Sequence, residues 1–231
     1  VTAISQYTKN EIEQNIDLKG KEVRVIYNGV KANTFSVGAS HTRPLQKSDV
    51  SNPNPRKFFF SIGIFNPKKN FEVLLPMMKL FPEHQRIIAG RNETAYGKHL
   101  KTIAAELGIQ DHVSFPGKVN EIEKSWLYKN CEALLFPSLA EGFGMPPVEA
   151  MAFGKPVFLS KKSSLPEIGG DQAFYFKNFE PQEMANLIKK KLQEVEEMRE
   201  VFSEKAKQHA AQFTWEKSLR EYLKLYAEIL F

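Results

Sequence analysis

Cysteine is almost missing from this sequence: its 231 residues contain one, Cys131. A lone thiol excludes an intramolecular disulfide framework and any cysteine-rich zinc site, and it suits a reducing compartment. Long apolar runs are missing too, since none approaches the ~20 residues of a membrane-crossing helix. Histidine is sparse, at 41, 84, 99, 112 and 209, with no HExxH pairing, and all five read as structural or surface residues rather than metal ligands. No Gly-Lys-Ser/Thr follows a glycine-rich loop, which removes a P-loop, and no GxGxxG stands beside a strand, which disfavours a hydride-transferring dinucleotide enzyme. There is no initiator Met: Val1-Thr2-Ala3-Ile4-Ser5 reads as a cut into a longer protein rather than as a charged leader. Aromatic and basic residues do not interleave as they do in RNA-binding surfaces, so no nucleic-acid partner is expected.

What is present is ordinary for a folded domain: 42% hydrophobic and 26% charged residues. Phenylalanine dominates the aromatics, 18 against 7 Tyr and 2 Trp, and clusters in short apolar runs such as Phe58-Phe59-Phe60 that suit buried strands. The net charge of +5 permits an anionic ligand. The longest basic run, Lys189-Lys190-Lys191, precedes Glu194, Glu196 and Glu197 and reads as a solvated helix face. The sequon Asn92-Glu93-Thr94 would matter only in a secreted protein.

Strand-like runs alternate with helical periods, the pattern of βα units wound around a parallel sheet. The strand candidates are 23–27, 57–62, 86–89, 112–115, 133–136, 156–160 and 173–176. Helices are expected near 70–80, 96–107, 121–130, 146–153 and 181–207. These seven strands predict one α/β, Rossmann-like doubly wound domain over residues 21–213. Gly108, Gly154 and Gly169-Gly170 mark helix ends. Residues 36–56, with Pro44, Pro53 and Pro55, read as a loop or excursion. Two helical arms fall outside the domain: residues 1–20, opening at Ser5, and 214–231, capped by Thr214. The second is apolar on more than one face and calls for a partner domain to lean on.

The segment richest in chemistry runs from Phe136 to Val157. A buried strand ends at Phe136, the loop Glu141-Gly142-Phe143-Gly144 follows, and a helix opens at Pro146 or Pro147. Strand, glycine loop and helix N-terminus together make an anion site from backbone N–H groups and the helix dipole. Two carboxylates flank the turn, Glu141 and Glu149. Their plain readings are a loop-surface acid and a first-turn acid favoured by the dipole. Upstream, Gly63-Ile64-Phe65-Asn66-Pro67-Lys68-Lys69-Asn70 repeats the strand, turn and helix-start pattern with two lysines. They are either a diphosphate clamp or two solvated side chains.

Taken in order, these pieces resemble GT-B glycosyltransferases, specifically glycosyltransferase family 4 (group 1), in their C-terminal, donor-binding half. The matching segments are Ile4-Ser5, Val25 to Val30, Gly63 to Asn70, Ala89-Gly90, Phe115 to Val119, Pro137 to Val157, Leu165-Pro166-Glu167-Ile168 and Phe213-Thr214-Trp215. The resemblance implies a retaining enzyme that moves a hexose from a GDP- or UDP-sugar to a glycan or lipid-linked acceptor without an obligatory metal or other cofactor. GDP-mannose is the first candidate donor. The four aspartates, at 17, 49, 111 and 171, offer no Asp-x-Asp pair. The family implies that Glu149 holds the ribose hydroxyls. Glu141 and the amides of Gly142, Phe143, Gly144 and Met145 would hold the sugar and nearer phosphate. Lys69 would neutralise the leaving diphosphate, Val119 would sit by the base, and Gly63 would keep the approach open. Many members carry Arg after the strand-end glycine, where this chain has Ile64; Lys68 is the candidate second positive charge. The implied whole enzyme has an N-terminal half not seen here, lies in the cytoplasm with a peripheral association at the inner face of the membrane, and leaves this chain alone inactive. The other readings are a nucleotide-sugar epimerase of the same architecture and a non-catalytic donor-binding module.

Overall fold

The computed structural model describes residues 1–30 and 57–230. Six parallel strands form the main sheet: β3 (Lys57–Ile62), β4 (His84–Ala89), β5 (Val113–Gly117), β6 (Ala133–Phe136), β7 (Val157–Leu159) and β8 (Phe174–Tyr175), in the spatial order β5-β4-β3-β6-β7-β8. The chain winds outward one way from β3 through β4 to β5, then returns to β6 beside β3 and winds the other way. The doubly wound α/β expectation therefore holds, with one correction. The seventh strand expected at 23–27 is β2 (Arg24–Val25), which pairs with β1 (Thr2–Ala3) in a separate ribbon. Its ladder partner is Thr2–Ala3, so it takes no place in the six-stranded sheet.

Continuous apolar runs suit these strands because both faces are covered. Phe58 and Phe60 pack with Leu134, Phe136 and Leu159 beneath α4 (Glu121–Asn130), α5 (Met145–Ala152), α6 (Leu165–Gly169) and α8 (Arg199–Ala210). Phe59, Ile88, Leu135 and Phe158 pack on the other face beneath α2 (Leu74–Met77), α3 (Ala95–Glu106) and α7 (Pro181–Glu197). The two-residue alternation of a strand thus sends Phe59 to one core and its neighbours to the other. Each buried phenylalanine contributes about 1.5–3 kcal/mol.

Several helix boundaries differ from the sequence expectation. The segment at 70–80 is a short α-turn flanked by 3₁₀ turns, with Pro76 inside it. The long helix expected over 181–207 breaks at Met198 into α7 and α8. Asn92 of the sequon is buried and its amide donates to the Phe115 carbonyl at 3.0 Å, while Thr94 caps α3, so both have structural employment. The expected loop at 36–56 and His41 lie outside the described residues.

Both arms are anchored. Ser5 caps α1 (Gln6–Asn15). The segment leading into α9 (Trp215–Leu230) bridges Val30 at Thr214, and a Cβ on Gly29 would stand 2.2 Å from the Trp215 nitrogen. Helix α9 turns Ser218 inward and leaves Trp215, Leu219, Leu223, Tyr226, Ile229 and Leu230 exposed.

At the carboxyl edge of the sheet, Gly90 (φ +132°) permits a backbone contact no side chain allows: a Cβ there would lie 1.9 Å from the Gly63 oxygen. Deeper in, the Arg86 guanidinium is fully buried. It donates to Ser61 Oγ and to the Leu135 carbonyl, while Nε and Nη1 have no partner among the described residues. Burial pulls its pKa down to about 9. The unfolded chain then holds this proton to higher pH than the folded one, so this residue's contribution to stability rises as the pH climbs above about 9. At neutral pH the buried charge is a net cost. Arg86→Met is expected to stabilise the chain by about 1–3 kcal/mol. A urea midpoint lower than that of the parent would show that the guanidinium's two hydrogen bonds outweigh its desolvation.

Candidate functional site

In a doubly wound sheet the loops leaving the two central strands diverge and open a crevice. Here those strands are β3 and β6, and their loops carry the two segments singled out in the sequence, 63–70 and 137–145. The loops are stitched together at their bases. The Lys68 carbonyl accepts from the Leu139 amide at 2.7 Å and from the Ser138 hydroxyl at 3.0 Å. Asn70, in the left-handed conformation that asparagine tolerates, ends the 3₁₀ turn Pro67–Lys69 and reaches the Pro137 carbonyl.

This stitching brings Lys69 and Glu141 together. Nζ of Lys69 lies 2.5 Å from Oε1 of Glu141 and 5.1 Å from the centre of the Phe136 ring. Both side chains are largely withdrawn from solvent, at 13% and 14% exposure, so their attraction is less screened than that of a surface pair. Gly63 belongs to the same spot, since a Cβ on it would meet Lys69 Cε at 3.1 Å. Lys68 is different: its ammonium is exposed and makes no ion pair among the described residues.

The 141–145 turn is fixed by hydroxyl groups. The Glu141 amide donates to Ser163 Oγ at 2.8 Å, and Ser163 holds a positive φ of 51° to receive it. Ser164 shares its one proton between the carbonyls of Glu141 (3.0 Å) and Phe143 (2.8 Å). The Gly142 carbonyl accepts from Ser5 at 2.7 Å and Thr8 at 3.0 Å. Among the described residues, no protein group accepts from the amides of Gly142, Phe143 or Gly144. The Phe143 ring points away into an aromatic cluster with Tyr27 and Phe213, so only its backbone faces the crevice. Helix α5 starts at Met145, one or two residues earlier than expected, after Gly144 in the left-handed region (φ +104°). The two prolines at its second and third positions carry no N–H, so this helix end offers the Met145 amide together with the turn amides before it.

The earlier start moves Glu149 out of the first turn, which removes the dipole account of that residue. Its carboxylate is held by α4 instead: Lys124 Nζ stands 3.0 Å from Oε1 and the Tyr128 hydroxyl 2.7 Å from Oε2. Burial, with the Glu149 charge added, pushes the Tyr128 phenol well above its usual range, keeping it a donor. Burial draws the Lys124 ammonium down, but Glu149 and Glu121 outweigh it and raise it overall. Val119 is half-buried between the Gly117 turn and the Asn120 cap of α4.

Lys69, Glu141, Gly63 and the turn amides thus gather around the β3–β6 crevice, while Lys68 stands free. Sequence reasoning missed Ser5, Thr8, Ser163 and Ser164, which hold the turn, and Lys124 and Tyr128, which hold Glu149. The one partial signal was Ser5, which opens the first helical arm and stands in the Ile4-Ser5 segment of the resemblance. Among the described residues no cluster of histidine, cysteine or carboxylate side chains has the makings of a metal site.

Residues 42–209 match the model of the family described as glycosyl transferases group 1. The O-antigen chain mannosyltransferase RfbU of Salmonella typhimurium is 29% identical over 175 residues, 76% of this chain and 46% of its own length. Sucrose-phosphate synthase from Thermosynechococcus elongatus shares the fold with a TM-score of 0.82 at 21% identity, over 99% of this chain and 58% of its own. The Anabaena protein Alr3699/HepE, solved with UDP and glucose, has a TM-score of 0.75 at 24% identity, over 98% and 63%. The chain spans about half the length of the relatives it matches. A family match over well over half of its residues, with the same GT-B-type fold in solved neighbours, establishes that the chain belongs to the group 1 glycosyl transferases.

Proposed function

We propose that this chain binds a nucleotide-diphosphate sugar in the β3–β6 crevice and is the donor-binding part of a retaining hexosyltransferase. The observation that carries the reading is the Lys69–Glu141 pair, drawn from two loops into one half-buried spot beside a turn with unused amides. When the bond between the anomeric carbon and the diphosphate oxygen breaks, the electron pair leaves with that oxygen. The Lys69 ammonium and the amides of Gly142 to Met145 then meet a growing negative charge. A single pre-oriented donor of this kind contributes about 2.7–4 kcal/mol to the transition state. Glu141 remains to accept from the sugar hydroxyls and Glu149 from the ribose, while Val119 flanks the base. No divalent ion is needed where an ammonium and oriented dipoles supply the positive charge.

Mannose is the first candidate sugar, with RfbU, by name a mannosyltransferase, in support. GDP is accordingly the first candidate nucleotide and UDP the second; the latter has the support of HepE, solved with UDP. The acceptor, a glycan or lipid-linked sugar, would approach from a further domain, for which the exposed apolar face of α9 is the proposed seat. The whole enzyme would work in the cytoplasm, at the inner face of the membrane. Among the described residues no helix is long and apolar enough to cross one.

Lys69→Ala should weaken GDP or UDP binding by about tenfold or more, the worth of a charge-assisted hydrogen bond. Glu141→Gln should bind the bare nucleotide at least as well as the parent, because the freed ammonium no longer has a carboxylate to prefer. Titration calorimetry reads both, and an unaltered affinity for Lys69→Ala would remove Lys69 from the diphosphate site. Ribose recognition by Glu149 predicts that the parent prefers GDP to 2′-deoxy-GDP by about tenfold and that Glu149→Ala erases the preference. Equal affinities in the parent would contradict it.

The purified chain, mixed with donor and a glycan acceptor, should bind nucleotide yet transfer little sugar. Robust transfer would show that no further domain is required. Conversion of the donor without acceptor would favour the epimerase reading.

A further inference from the structure

Peptide planarity couples the two polar groups of each peptide unit. In a trans peptide the C=O of one residue points opposite to the N–H of the next. Fixing the carbonyls of Glu141, Gly142 and Phe143 therefore fixes the directions of the amides of Gly142, Phe143 and Gly144. All three carbonyls are held, from two sides. Ser164 takes the first and third, and Ser5 and Thr8 of α1 take the middle one. The Phe143 amide consequently points away from α1, and its two neighbours point away from Ser164.

Helix α1 is itself secured where it meets the turn. The amides of Gln6 and Tyr7, which a helix start leaves without partners, donate to the two carboxylate oxygens of Glu167 at 2.7 and 3.0 Å. Glu167 also accepts from the Tyr27 hydroxyl at 2.8 Å. Ser5 Oγ takes the Thr8 amide at 3.0 Å. These contacts place the two hydroxyls of one helix turn against one carbonyl 137 and 134 residues away in sequence.

We infer that Ser5, Thr8 and Ser164 are positioning residues of the donor site, which aim the turn amides at the diphosphate, and that α1 is part of that site rather than an appendage. This rests on the donor-binding reading above. Each hydroxyl is spent on a turn carbonyl and would act through the peptide it holds.

The test is calorimetric titration of the 231-residue chain with GDP and with UDP, paired with amide exchange of residues 142–144. The variants are Ser164→Ala, Thr8→Ser, Thr8→Val and the double Ser5→Ala/Thr8→Val. Ser164→Ala and the double variant should each lose about tenfold in affinity. Thr8→Ser should match the parent and Thr8→Val fall between, since only the hydroxyl matters. Saturating nucleotide should slow exchange of the Gly142, Phe143 and Gly144 amides in the parent; in Ser164→Ala the slowing should be lost at Gly142 and Gly144 and kept at Phe143, a pattern that general loosening would not produce. If the double variant loses its melting transition, Ser164→Ala, which leaves α1 intact, decides. A parent that binds while Ser164→Ala and the double variant bind equally well overturns this inference and leaves the donor reading standing. A parent that binds neither nucleotide overturns both.

Discussion

A parallel sheet delivers the carboxyl ends of all its strands to one edge, and there the backbone runs out of ladder partners. Every carbonyl that passes beyond the last hydrogen-bonded pair needs another donor if it is buried. In this protein several of those donors are serine and threonine hydroxyls. Ser61 serves the Leu135 carbonyl, Ser138 that of Lys68, Ser160 that of Ser138, Thr94 that of Phe65, and Ser164, Ser5 and Thr8 those of the 141–143 turn. A hydroxyl donates one proton from a short, stiff side chain, so each fixes a loop within a narrow range. The crevice at the switch point is shaped by this requirement before any ligand chemistry is considered.

The charged groups sit within that frame and fare differently according to what surrounds them. Lys69 and Glu141 face each other across the crevice and neutralise one another, which lets both withdraw from water. Glu149 is satisfied by one cation and one phenol, leaving lone pairs on both oxygens for further donors. Arg86 has no such partner and gives up part of its basicity instead. Its place beside Ser61, one strand residue before the crevice begins, shows how sharply the environment changes over a few ångströms.

Much of the architecture was legible because it follows from local pattern. Runs such as Phe58 to Phe60 and Ala133 to Phe136 permit only doubly covered strands, and strand-helix alternation permits only a wound parallel sheet. Lys69 and Glu141 are singled out through the family resemblance, while their direct contact follows from the adjacency of β3 and β6 at the centre of the sheet. Less legible was whatever depends on a partner distant in sequence. Nothing local distinguishes the strand at Arg24–Val25 from the others; its partner is Thr2–Ala3, distant in sequence, and not a strand of the main sheet. The role of Glu149 looked like that of a first-turn acid, because Met145 carries no mark of a helix start while two prolines follow it. Ser5, recognised as a cap, gave no sign of its second bond to Gly142.

This chain has Ile64 after the strand-end glycine and sets lysines, not arginine, beside the crevice, which shifts where orientation could come from. A guanidinium offers a rigid fork that both charges and orients a diphosphate, whereas an ammonium is a point charge with rotatable donors. Lys69 is also already committed to Glu141, and Lys68 is exposed with no ion pair among the described residues, so neither carries a rigid fork of donors. Orientation must come from groups that cannot rotate. The peptide units of 141–144 are such groups, because their carbonyl ends are pinned by three hydroxyls. On the proposed donor-binding reading, charge would supply the attraction and the pinned peptides the geometry.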